Sequence, residues 1–145
     1  MKFVITETEA YCGKKDLACH ASRGFTPRTS TMFGHAGLMY VYMIYGMYFC
    51  LNIVTGRKGY PAAVLIRGCK LLNPDNQEKE KKINGPGKLC KELKIDKNLN
   101  GSDISMNKEL WVEDMGLSTG KIKKGKRIGV DYAGKWKNKK WRFYI

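Results

Sequence analysis

Residues 37–52, Gly-Leu-Met-Tyr-Val-Tyr-Met-Ile-Tyr-Gly-Met-Tyr-Phe-Cys-Leu-Asn, carry no charged side chain and hold four of the chain's eight tyrosines. At a period of two, Tyr40 and Tyr42 fall on one face and Val41 and Met43 on the other, so the run has two unlike surfaces, as a strand does. Gly46 interrupts it at the one place where the chain could reverse, and glycine tolerates the positive φ of a tight turn. The pattern predicts a β-hairpin, Met39–Ile44 followed by Tyr48–Val54, with Tyr45 at its tip. Val41, Ile44, Phe49 and Leu51 read as core. A tyrosine beside a turn glycine is harder to bury, because its hydroxyl needs a partner. Tyr45 is therefore a candidate wedge for a groove or a stacked base.

Upstream of the hairpin, residues 3–11 read as a strand on which Glu7, Glu9 and Tyr11 share one face and Thr6, Thr8 and Ala10 the other. Two carboxylates beside a phenol in so basic a chain ask for a role. A solvated edge strand still explains Glu7, whereas Glu9, followed by Tyr11 on the same face, is the candidate functional carboxylate. Residues 12–28 are loop-like, with His20 in a glycine-punctuated basic segment and Arg23 and Arg28 as candidate phosphate contacts. Downstream, residues 62–67 form a buried strand closing on Arg67, which either snorkels outward or points into a cleft. Residues 74–83 begin with Pro-Asp and predict a polar surface helix. Gly85-Pro86-Gly87-Lys88 opens a short helix over 88–93. It lacks the glycine spacing and the Ser/Thr of a nucleotide-triphosphate loop, but exposed amides beside Lys88 suit one backbone phosphate. Residues 96–105 read as polar linker, and 110–113, 127–130 and 141–145 as three short strands.

The 145 residues suffice for one domain with its own core. Twenty-seven basic residues against thirteen acidic leave +14, which favours a polyanionic partner, either nucleic acid or an anionic membrane surface. Sixteen glycines point to a strand-rich fold with many turns. A spanning helix needs roughly 18 or more consecutive apolar residues, and Gly46 and Asn52 break the apolar runs well short of that. The N-terminal apolar run is too short for a signal peptide. Five cysteines without a Cys-x-x-Cys pair, and two histidines, do not make a zinc site. The cysteines read as reduced packing residues of an intracellular protein. The chain is expected to be one α+β domain over 1–145. Its core is a curved, mostly antiparallel sheet or small barrel, with a protruding β-hairpin and a few short peripheral helices.

Several blocks in order then acquire a common meaning. They are Thr8-Glu9-Ala10-Tyr11, His20, Thr26-Pro27-Arg28, Met32-Phe33, Tyr40-Val41-Tyr42 with Tyr45-Gly46-Met47-Tyr48-Phe49-Cys50 and Asn52, Val64-Leu65-Ile66-Arg67, Gly85-Pro86-Gly87-Lys88-Leu89-Cys90 and Arg142-Phe143-Tyr144. Together they closely resemble the alkyladenine (3-methyladenine) DNA glycosylase family that is not built on a helix-hairpin-helix, from residue 4 to the end. Two departures stand out: the N-terminal helix and strand usual in that family have no counterpart here, and the segments after Arg67 look shortened.

The resemblance implies a monofunctional enzyme without cofactor or metal that acts on double-stranded DNA containing damaged purines. Tyr45 would intercalate in the minor groove; Tyr11, His20 and Tyr42 would wall the pocket for the flipped base. Glu9 would activate water, Arg67 would hold that water, Glu9 or a phosphate, with the backbone around Ile128 assisting, and Asn52 would obstruct the amino group of guanine. Arg23, Arg28 and Lys88 remain the phosphate contacts. A groove-binding wedge needs no symmetry, so a monomer is expected, cytoplasmic and nucleoid-associated in a bacterium or nuclear in a eukaryote. Two rivals compete: a basic module that coats nucleic acid or binds lesions without chemistry, which leaves Glu9 without a role, and a metal-dependent nuclease using Glu7 and Glu9.

Overall fold

The computed structural model describes residues 1–72 and 81–145. Seven strands, β1 (Phe3–Cys12), β2 (Met39–Ile44), β3 (Tyr48–Val54), β4 (Ala62–Leu71), β5 (Lys82–Asn84), β6 (Lys123–Gly125) and β7 (Arg142–Tyr144), form one sheet. Their order is β2-β3-β4-β1-β7-β6, with β5 also on β4 and every pairing antiparallel. The path is open, ending on β2 and β6. A register shift between Ile5 and Thr8 bends β1 against β4. The helix α1 (Pro86–Glu92) and short 3-10 segments lie around the sheet, so the α+β expectation holds. None of the described helices is long and apolar enough to cross a membrane.

The two faces of the hairpin separate two cores. Met39 and Val41 point into one, with Leu51, Ile66, Leu89 and Ile104. Tyr40 points into the other, with Cys19, Ala21, Met32, Val54 and Ala63, and Tyr42 packs at its margin. The period-two pattern thus sorts aliphatic from aromatic neighbours. At the tip, Tyr45 at φ 51° and Gly46 at φ 68° are both left-handed, and Met47 N donates to Ile44 O at 3.2 Å. Helix α1 presses closely on β3: a Cβ added at Gly87 would lie 3.1 Å from Tyr48 Cβ.

Elsewhere the expected elements shift. Residues 74–80 of the anticipated surface helix lie outside the described residues, and Lys82 and Ile83, its last two positions, belong to β5. The helix expected over 88–93 begins earlier, at Pro86, whose fixed φ suits a first turn. Residues 96–105 do more than link. Asn100 Oδ1 accepts from Val41 N at 3.0 Å, and Gly101 N donates to Met39 O at 2.8 Å. They cover the free edge of β2, while Ile104 is buried in the first core. Residues 110–113 form no strand; Trp111 and Val112 stay exposed. Residues 127–130 form none either: Gly129 takes a left-handed φ of 74°, which turns the chain out of an extended path, and strand β6 falls earlier, at Lys123–Gly125. Of residues 141–145, only Arg142–Tyr144 enter the ladder.

Candidate active site

Glu9 is completely buried, although it lies on a ten-residue strand of a protein with +14 charge. Burying a carboxylate is tolerable only when its oxygens are engaged. Glu9 Oε2 accepts from Tyr11 OH at 2.8 Å, and Oε1 accepts from the Ile128 amide at 2.7 Å. Arg67 Nε stands 3.5 Å from Oε1 and donates to Glu7 Oε1 at 3.2 Å. Arg142 Nη1 reaches Glu7 at 3.4 Å. The like charges on this face of β1 are therefore held apart by guanidinium groups. Both carboxylates are occupied by arginine and amide donors. Among the described residues, no three His, Cys, Asp or Glu side chains converge as metal ligands.

Tyr11, Arg67 and Ile128, the three partners of Glu9, line a cavity of about 320 Å³, at the small end of the roughly 300–1,000 Å³ usual for ligand sites. Glu9 lies immediately behind that lining. His20, Tyr42 and Asn52 complete the walls, and Tyr45 and Tyr132 stand at the lining with Pro86. Burial, and then the Glu9 carboxylate, push the Tyr11 hydroxyl well above the ordinary phenol range. It remains a proton donor to Glu9. Burial also raises Tyr42, with Cys50 beside it adding to the effect. The cavity therefore presents neutral phenol rings.

His20 opens a 3-10 turn, His20–Arg23, and its ring meets Tyr42 at 4.6 Å between centroids and 70° between planes. Its Nδ1 lies 3.0 Å from Tyr40 OH. Burial, reinforced by Arg28 and Arg23, lowers its pKa from 6.5 to about 4, so the imidazole is neutral near pH 7. Asn52 is buried opposite Tyr40, and its Nδ2 donates to Tyr40 O at 3.2 Å.

The structure brings Glu9, Arg67, Tyr11, His20, Tyr42 and Asn52 together, with Tyr45 at the lining, 86% exposed on its turn. Arg23 is exposed on its 3-10 turn; Lys88 is exposed two residues beyond Pro86. Arg28 is exposed too, yet its guanidinium lies 5.4 Å from the Tyr42 ring centroid, against a pocket wall. Sequence reasoning missed Asp16, Arg127 and Tyr132. Asp16 falls in the loop-like stretch after two lysines, and Arg127 opens a stretch expected to be a strand; no local pattern marks either one as half of a buried pair.

The chain belongs to the methylpurine-DNA glycosylase family, whose model matches residues 1–145. Three similar proteins, from Methanocella arvoryzae, Rickettsia rickettsii and Sodalis glossinidius, each carry the name "Putative 3-methyladenine DNA glycosylase" and are each 50% identical to this chain. The matches cover 97%, 98% and 97% of this chain and 74%, 73% and 78% of those proteins, respectively.

Proposed function

We propose that this protein is a monofunctional base-excision glycosylase. It turns an alkylated purine such as 3-methyladenine out of duplex DNA, hydrolyses its N-glycosidic bond with a water and leaves an abasic site. The observation that carries the reading is Glu9, fully buried and hydrogen-bonded to two groups of the cavity lining, Tyr11 OH and Ile128 N. A platform that only stacks bases has no use for a buried carboxylate, which costs several kcal/mol to desolvate.

In this mechanism Tyr45 enters the duplex as the damaged nucleotide leaves it. Extrusion costs a few kcal/mol, and each aromatic face returns about 1–3 kcal/mol by stacking. Tyr11, Tyr42 and His20 enclose the base. Their neutral, electron-rich faces attract a cationic alkylated purine more than a neutral one. The positive charge already makes the base a good leaving group, so one carboxylate activating water suffices. Glu9 takes a proton from a water lodged beside Arg67 and Ile128, and that water attacks the sugar carbon that bears the base. Asn52 obstructs the exocyclic amino group of guanine. Arg23, Arg28 and Lys88 contact phosphates, and Lys88 forms no Schiff base. The partner is double-stranded DNA, bound by a monomer.

The test is Glu9→Gln on a duplex carrying one 3-methyladenine analogue. The amide keeps the shape, accepts from Ile128 N and can donate to the Tyr11 oxygen. Base release should fall by about 10²–10⁴-fold, with affinity for an abasic-site analogue retained. A mutant that releases base at the wild-type rate would strip Glu9 of its role. Breaks that appear without alkali would refute the monofunctional reading.

A further inference from the structure

Asp16 and Arg127 lie 111 residues apart, and both side chains have no exposed surface. Arg127 Nη1 donates to Asp16 Oδ2 at 2.6 Å and Nη2 to Oδ1 at 2.8 Å, a two-pronged pair. Asp16 Oδ1 also accepts from Ala18 N at 3.1 Å and Oδ2 from Cys12 N at 3.2 Å, which ties it to the end of β1. Arg127 Nη1 reaches Ala10 O, next to Glu9, at 2.8 Å. Its guanidinium carbon lies over two rings, 4.8 Å from the centroid of Tyr11 and 5.0 Å from that of Trp141.

Both hydrogen-bond donors on Glu9 are thus groups that Arg127 holds. The Ile128 amide is its next residue along the chain, in a segment that no strand supports. The Tyr11 ring, which carries the other donor, stacks on its guanidinium. We propose that the Asp16–Arg127 pair is a positioning device for the reaction, fixing Ile128 N on one oxygen of Glu9 and Tyr11 OH on the other. The pair touches neither base nor water. It docks the C-terminal segment against β1 so that the carboxylate meets the reacting sugar from one direction only. A merely structural ion pair elsewhere in the sheet would have no reason to contact both donors.

The inference rests on the role of Glu9 proposed above, and the experiment separates the two. Single-turnover base release at saturating enzyme, affinity for an abasic-analogue duplex and Tm are measured for Asp16→Asn and Arg127→Lys, with Glu9→Gln and Tyr11→Phe alongside. Misplacing a reacting group by about 1 Å can cost on the order of 100-fold in rate. The expected result is a loss of that order in the release step with affinity within a few-fold of wild type. Combining Asp16→Asn with Tyr11→Phe should cost less than the product of the two single losses, since both act on the same carboxylate. Should either variant fail to fold, Trp141→Leu, which strips one ring from the guanidinium and no charge, is read in the same way. Active Glu9→Gln would overturn the earlier reading. Inactive Glu9→Gln with folded Asp16→Asn and Arg127→Lys releasing base normally, or losing affinity in step with rate, would overturn this one alone. So would misfolding of all three variants, which would make the pair a determinant of the fold.

Discussion

Replacing Tyr45 with glycine separates what the hairpin tip costs the fold from what it does on DNA. Tyr45 holds φ at 51°, a left-handed conformation that costs a residue with a Cβ about 1–2 kcal/mol. Glycine adopts it freely but gives back about 0.5–1 kcal/mol through the extra freedom of the unfolded chain. The ring is 86% exposed, so its removal forfeits little packing. The balance is a net stabilisation of about 0.5–1 kcal/mol, equivalent to a Tm roughly 1.5–3 °C higher for a domain of this size. On DNA the sign reverses. Losing one stacked aromatic should weaken binding by about 1–3 kcal/mol, or roughly 5- to 150-fold, with the deficit smallest at mismatched lesions, where extrusion is already cheap. Thermal melting and anisotropy titration of an abasic-analogue duplex read the two effects on one preparation. A Tm several degrees lower would show that the ring packs against its own protein, and affinity equal to wild type would remove the wedge from the mechanism.

Two further outcomes follow from the charges around the cavity. Folded His20 has its pKa depressed to about 4 from 6.5, so across that window the unfolded chain binds the extra proton and stability falls as the pH drops. Tm measured from pH 7 to pH 4 should decline less steeply in His20→Gln; parallel slopes would mean that the ring is protonated in the folded state. Arg67→Met leaves Glu7 and Glu9 facing each other and should destabilise by about 3–5 kcal/mol, with Glu7→Gln in the same background restoring part of that. Additive losses in denaturant titrations would show that Arg67 does not balance the two carboxylates.

Much of this site is legible in sequence because its components recur at short range. The alternation of β2 assigns Tyr40 and Tyr42 to one face, and that of β1 aligns Glu9 with Tyr11, whose side chains bond two residues apart. The Tyr45-Gly46 pair marks the turn through a backbone conformation that one residue type favours. The strands expected at 110–113 and 127–130 fail for the opposite reason. Short apolar runs suggest ladders, but whether they pair depends on partners that local pattern does not name.

Local pattern suffices for the hairpin, the faces of its strands and the carboxylate-phenol pair on β1, since each follows from side chains two residues apart on a pleated backbone. Long-range folding is what seals Glu9 behind its cavity, brings the Ile128 amide, 119 residues away, to bond with it, and joins Asp16 to Arg127. Those contacts arise when distant segments close on one another. Their stabilisation comes from shared exclusion of water, which no single segment of the chain contains.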